Sequence, residues 1–180
     1  MFRTLRYYLI KRRLSRIRLI VSDVDGVLTD GRIVVTDKGY EQKNYHSRDG
    51  FAIRLGREMG LSFAVLTARD TEAVRIRFKK QLKLTHVITG AADKGKAMEA
   101  ILRDFHVTRE ETAYIGDEFI DLTAMAYAGV AFAPSDAARE VRHAADWVTH
   151  VPGGEGVLRE TVMLILRAQG RSHEALRRYR

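Results

Sequence analysis

Short apolar runs alternate with longer helical patterns along almost all of this 180-residue chain. The runs at 17–22, 62–66, 87–88, 113–115, 130–133 and 147–149 read as strands. Residues 50–59, 71–82, 94–104, 118–127, 136–143 and 157–168 read as helices. That alternation predicts an α/β fold, a parallel sheet with helices on both faces. One segment departs from it. Residues 32–36 and 41–45 read as two short strands joined at Asp37-Lys38-Gly39, a hairpin that should project from the sheet as a flap over 31–46. Thr108-Arg-Glu-Glu111 has capping-box spacing, which predicts a short helical turn before the fourth strand. No repeat, low-complexity tract or Pro-rich linker divides the chain, so residues 1–180 read as one domain.

Charge narrows the function classes. The chain carries 31 Lys and Arg against 23 Asp and Glu, a net of +8, which on its own suggests a nucleic-acid partner. The excess belongs to the ends. Twelve basic residues and one acid lie in 1–18 and 167–180, which leaves residues 19–166 at −3. We read 1–16 as a basic helix packed on the body and 169–180 as a basic tail, with neither a nucleic-acid partner nor a membrane implied. With no cysteine, disulfides and thiolate metal sites are excluded. No apolar run reaches the ~18 residues of a membrane helix. The lack of a secretory pattern points to the cytoplasm.

The chemistry gathers after the first strand, in Asp23-Val24-Asp25-Gly26-Val27-Leu28-Thr29-Asp30-Gly31. In an open α/β sheet, ligands bind beyond the carboxyl ends of the strands, where this segment lies. Carboxylates at i and i+2 repel each other unless a cation or a functional demand keeps them together. Taken alone, an acidic turn would serve as an equally good reading. Three further elements occupy corresponding places. Thr67 follows the second strand, where a hydroxyl and helix N-terminal amides suit phosphate. Lys94 opens a helix with an ammonium for an anion. Gly116-Asp117-Glu118 with Asp121 follows the strand at 113–115 and offers hard oxygens that suit Mg²⁺.

The ordered set Asp-x-Asp, Thr, Lys, Gly-Asp-x-x-x-Asp resembles the haloacid dehalogenase (HAD) superfamily of phosphotransferases over nearly the whole chain. A receiver domain of a response regulator uses similar residues in a different order, with nothing acidic after the Lys. The resemblance implies a Rossmann-like fold and a Mg²⁺-dependent phosphomonoesterase. Asp23 would be the nucleophile that becomes an aspartyl phosphate, and Asp25 the general acid and base. Thr67 and Lys94 would bind phosphoryl oxygens, and Mg²⁺ would be held by Asp23, the Asp25 carbonyl and Asp117. Glu118 and Asp121 would orient the metal shell. The acid at Asp25 favours a phosphatase or phosphomutase over a dehalogenase, since an alkoxide leaving group needs a proton.

The intervals Asp23 to Thr67 and Thr67 to Lys94 leave no room for a cap domain. The layout is similar to that of the 3-deoxy-D-manno-octulosonate 8-phosphate (KDO 8-phosphate) phosphatase family, in Asp-Val-Asp-Gly-Val-Leu, the hairpin, Arg48-Asp49-Gly50 and Gly153-Gly154-x-Gly156 with Arg159-Glu160. That likeness implies a homotetramer with sites shared between subunits, a sugar-acid phosphate substrate and a place in lipopolysaccharide biosynthesis. It also implies substrate contacts from Arg48, Asp49, Gly50, Arg54, Arg69 and Arg77. Three positions depart from the pattern: Ala68 for Gly, Glu118 for Asp and Glu155 for Arg. Glu155 would repel a substrate carboxylate if its loop met one, which keeps nonulosonate 9-phosphates (KDN or N-acylneuraminate) open as substrates. A non-catalytic HAD-fold scaffold or regulatory subunit is the alternative of another class.

Overall fold

The computed structural model describes residues 2–180, with side chains described from Thr4 onward. Six parallel strands, β1 (Leu19–Ser22), β4 (Ser62–Leu66), β5 (His86–Ile88), β6 (Thr112–Ile115), β7 (Val130–Ala133) and β8 (Trp147–Val148), lie in the order β5-β4-β1-β6-β7-β8. A separate antiparallel pair, β2 (Val34–Val35) with β3 (Glu41–Gln42), forms the flap, in register Val34↔Gln42 and Val35↔Glu41. It is shorter than the sequence suggests, but it turns at the expected place, with Gly39 at φ +77°.

The helices are α1 (Phe2–Leu14), α2 (Ser47–Glu58), α3 (Glu72–Val74), α4 (Lys94–Phe105), α5 (Leu122–Met125), α6 (Arg139–Ala144), α7 (Val157–Ala168) and α8 (Ser172–Arg177). Two expected helices are broken up. α3 gives way to a π-helical stretch at Arg75–Gln81, and α5 follows a 3₁₀ turn at Phe119–Asp121. The capping box at Thr108 closes as its spacing predicts, starting a 3₁₀ turn at Arg109–Glu111.

Strand alternation divides the core. Ile20, Phe63, Val65, Ala113, Ile115 and Phe132 face α1, α2 and α7, while Leu19, Val21, Ala64, Leu66, Tyr114 and Ala131 face α4, α5 and α6. Burial on both faces is why these strands read as continuous apolar runs rather than alternating ones. β1 pairs with β4 on one side and β6 on the other, so the chain order reverses around it and a crevice opens beyond its C-terminal end.

The charged ends are docked. Arg6 donates to the carbonyls of Asp146 and Ala145, and Arg13 pairs with the Asp146 carboxylate at 2.6 Å. Tyr7, Ile10 and Leu14 of α1 are buried against the body. The segment read as a tail forms α8, held to α2's end by Arg171 donating to the Met59 carbonyl (2.5 Å) and by Tyr179 donating to Glu58 (2.9 Å). Arg171 and Glu174 pair at i, i+3 and Ala175 is buried, which is why the segment is helical and lies on its own subunit. Among the described residues no helix is long and apolar enough to cross a membrane.

Leu14 is fully buried while Leu9, on the same helix, is 73 % exposed. Leu14→Ala should therefore cost about 2–5 kcal/mol in urea denaturation. Leu9→Ala should stay within about 0.5 kcal/mol.

Candidate active site

Each strand end delivers one piece of the cleft. Asp23 leaves β1 with its amide still donating to the Ile115 carbonyl (2.9 Å), so the chain is held in sheet register up to that residue. Gly26 then turns at φ +79°. A Cβ on Gly26 would sit 2.0 Å from Asp117 Oδ2, so glycine is what lets the two acidic loops meet. Gly153 braces the same loop from behind, where a Cβ would lie 2.1 Å from the Gly26 carbonyl oxygen. Thr67 follows β4 and is buried, its amide donating to Ile88 and its hydroxyl oxygen accepting from the Arg69 amide at 3.2 Å. Asp93 caps α4 through the Lys96 amide (3.0 Å), which sets Lys94 at the helix start.

Lys94 is the electrostatic hub. Its ammonium is buried 2.9 Å from Asp23 Oδ2 and 2.6 Å from Asp121 Oδ1. Burial works against that charge, but the two carboxylates outweigh it and hold its pKa above the ordinary value. Asp121 is fully buried and accepts four hydrogen bonds, from Lys94, the Tyr114 hydroxyl (2.6 Å) and the amides of Asp117 (3.0 Å) and Glu118 (3.1 Å). Its oxygens are thus committed to the protein.

Asp23 Oδ1 and Asp117 Oδ1 differ. Both are buried with no hydrogen-bond partner, and carboxylate oxygens of Asp23, Asp117 and Asp121 lie within 4.8 Å of one another. Burial, reinforced by Asp121, pushes Asp23 up to about 7, and burial with the charges of Asp23 and Asp121 pushes Asp117 to about 8. Unpartnered hard oxygens in a cluster this acidic fit a small divalent cation. Mg²⁺ needs few protein oxygens and completes its shell with water or phosphate. Asp23, Asp117 and the Asp25 carbonyl would hold it, with Asp121 as a positioning group.

The cleft has a volume of about 220 Å³ and is lined by Asp23, Asp25, Thr67, Arg69, Asp117 and Glu118 among others. Of the expected substrate contacts, Arg69 alone lines it. Arg48 lines a separate cavity. Asp49 is buried because it caps a helix, accepting from the Arg159 amide at the start of α7 (2.9 Å). Gly50 packs against Arg77, whose guanidinium lies 5.6 Å from the Tyr45 ring. Arg54 is exposed and pairs with Glu58 one helical turn on (3.1 Å). Within one chain these five do not reach the catalytic cleft. Glu155 lines the separate cavity too, so its charge does not face the phosphoryl site of its own chain.

The flap contributes what the sequence reading missed. Lys43, with a buried side chain, donates to Asp25 Oδ1 at 2.5 Å and lies 3.7 Å from Glu41, which accepts from Arg69. Tyr45 packs edge-on to Phe78. The signal was the period-two spacing of 41, 43 and 45, which puts these three residues on one face.

Named proteins are similar to this chain in sequence and fold. The model of the haloacid dehalogenase-like hydrolase family matches residues 77–160. The KDO 8-phosphate phosphatase of Haemophilus influenzae is 38% identical over 162 residues, covering 90% of this chain and 89% of that protein. The Moraxella catarrhalis KDO 8-phosphate phosphatase, solved with magnesium, phosphate and KDO, superposes with a TM-score of 0.90 at 31% identity, over 96% of this chain and 98% of that one. A cobalt-bound form of the Haemophilus influenzae enzyme has a TM-score of 0.87 at 37% identity, covering 91% and 98%. The fold is that of an uncapped HAD hydrolase. Within that superfamily, the chain belongs to the KDO 8-phosphate phosphatase family.

The raised pKa values have a consequence without metal. Asp23 and Asp117 are more readily protonated folded than unfolded, so the folded state binds more protons between about pH 4 and 8. Their contribution is complete below pH 4 and is lost as pH rises through 7 to 8. In EDTA, the urea midpoint should fall across that window. Mg²⁺ should restore it most at the upper end, and Asp117→Asn should flatten the fall and remove the response to Mg²⁺.

Proposed function

We propose that this chain is a Mg²⁺-dependent phosphomonoesterase that hydrolyses KDO 8-phosphate, working in the cytoplasm. The observation that carries the reading is the buried pair of unpartnered oxygens, Asp23 Oδ1 and Asp117 Oδ1, with the Lys94 ammonium against Asp23 Oδ2. When bound, Mg²⁺ would offset the repulsion between anionic nucleophile and anionic substrate.

Asp23 attacks phosphorus in line through one carboxylate oxygen, while Lys94 steadies the carboxylate at Oδ2. As the phosphorus–alkoxide bond breaks, protonated Asp25 gives its proton to the departing sugar oxygen. Asp25 then takes a proton from water, which attacks the aspartyl phosphate and releases inorganic phosphate with Asp23 regenerated. Lys43 fixes Asp25 Oδ1 and leaves Oδ2, which has no partner, for the proton. Lys94 uses two of its three N–H groups on Asp23 and Asp121, and the third is available to a phosphoryl oxygen beside the Thr67 hydroxyl. Arg69, tied to Glu41 of the flap, offers a guanidinium fork at the mouth for the sugar-acid carboxylate.

The assembly we propose is a homotetramer. Ile33, Val34, Val35 and Tyr40 of the flap are 55, 46, 60 and 71 % exposed, more apolar surface than a two-stranded ribbon keeps in water without a partner. Packing of flaps would bring a neighbour over each open cleft.

Assayed with Mg²⁺, KDO 8-phosphate should show a higher kcat/KM than nonulosonate 9-phosphates and far higher than hexose phosphates. Preference for a hexose phosphate would refute the sugar-acid reading. Asp23→Asn should abolish turnover, and Asp25→Asn should slow it by about 10²–10⁴-fold.

A further inference from the structure

The larger cavity of the molecule is not the catalytic one. It is a groove of about 690 Å³, open to solvent, between α1, α7 and the loop after β8, and it shares no lining residue with the cleft. Tyr7, Tyr8, Trp147, Val151, Met163 and Leu164 give it aromatic and aliphatic walls. Three guanidinium groups, those of Arg48, Arg159 and Arg167, stand among them.

These cations lack counter-charges. Among the described residues no carboxylate lies within ion-pairing distance of Arg48, Arg159 or Arg167. Glu160, the nearest acid in sequence to Arg159, is committed elsewhere, accepting from the His150 amide (2.8 Å) and Trp147 Nε1 (3.4 Å) and contacting His150 Nδ1 (2.9 Å). Glu155 on the rim pairs with none of the three. Arg159 Nη1 is buried with no acceptor at all. Burial and the neighbouring Arg48 charge both work against the ionised form of Arg159, yet a guanidinium does not give up its proton in proteins. Ring contacts engage the faces of two of the groups, Arg167 over Tyr7 at 5.0 Å and Arg159 over Phe51 at 6.0 Å, and leave their N–H edges for an anion.

A buried donor without an acceptor costs free energy, and two like charges side by side add to it. Water would relieve the donor but leave the aromatic and aliphatic part of the lining wet. One ligand chemistry meets both demands. We propose that this cavity binds a small amphipathic anion, a carboxylate or phosphate monoester carried on an apolar body, its head group held by Arg48 and Arg159 and its body lying against Tyr7, Trp147 and Met163. A volume of this order is that of a small-molecule site.

Trp147 is the sole tryptophan of the chain and lines the cavity, so its fluorescence reports occupancy. The full-length protein in EDTA, where no phosphoester can be turned over, is titrated with octanoate, octyl phosphate and 1-octanol. Both anions should change the Trp147 emission saturably at about millimolar concentration or below, and 1-octanol should bind at least about tenfold more weakly. A stronger response to octyl phosphate than to octanoate would assign the head group as phosphate, and the reverse order as carboxylate. Arg159→Gln should weaken either anion by about tenfold or more. Arg48→Gln, at an exposed side chain that the fold does not need, should do the same with an unchanged melting temperature. Asp23→Asn should leave binding as it is. No saturable response, equal binding of 1-octanol, or full affinity in Arg48→Gln would each overturn the proposal.

Discussion

Everything at the catalytic end of this sheet depends on keeping three carboxylates close together in a place with little water. Asp23, Asp117 and Asp121 converge from the ends of two adjacent parallel strands, and one buried ammonium, Lys94, stands between two of them. Like charges at about 4 Å repel by roughly 4 kcal/mol at a protein-like dielectric. Lys94 offsets part of this for Asp23 and Asp121, and four donors stabilise Asp121 further. Asp117 forms no ion pair with Lys94 and gains less from its charge than burial and the two neighbouring carboxylates cost, and its raised pKa is the result. The residual imbalance suits the cleft to a cation, and a cation held there would offset the repulsion between Asp23 and an anionic ester.

A chain with no cap domain must shape its cleft by other means, and here it uses the flap. Glu41 and Lys43 reach from the ribbon to Arg69 and Asp25, so a surface element is tied to two residues that line the cleft. Val34 and Val35, consecutive in β2 and so on opposite faces of the ribbon, both stay exposed. Association through these side chains would hold the flap, and with it Lys43 against Asp25.

How far the sequence disclosed this follows from how local each signal is. The six strands are buried on both faces, so their apolar runs mark them directly, and the residues after them fall into the cleft by topology alone. Asp23, Thr67, Lys94 and Asp117 were legible for that reason. The assignment of Arg48, Asp49, Gly50, Arg54 and Arg77 to the substrate came instead from resemblance, and within one chain they lie away from the cleft: Asp49 caps α7 and Arg54 pairs along its own helix. Lys43 and the shared use of Arg69 depend on how the flap folds back, a long-range contact that no window of sequence contains. Glu155 carried weight as a departure from a family pattern, and its position on another cavity removes that weight within the chain.

The central claim is that Asp23 is a nucleophile and not only a metal ligand. Acid quenching during turnover of a ³²P-labelled monoester with Mg²⁺ tests it most directly. The account predicts acid-stable label on the peptide containing Asp23, absent in Asp23→Asn, and net retention of configuration at phosphorus from two in-line displacements. Unlabelled protein together with inversion at phosphorus would mean that water attacks the ester directly, and would contradict it.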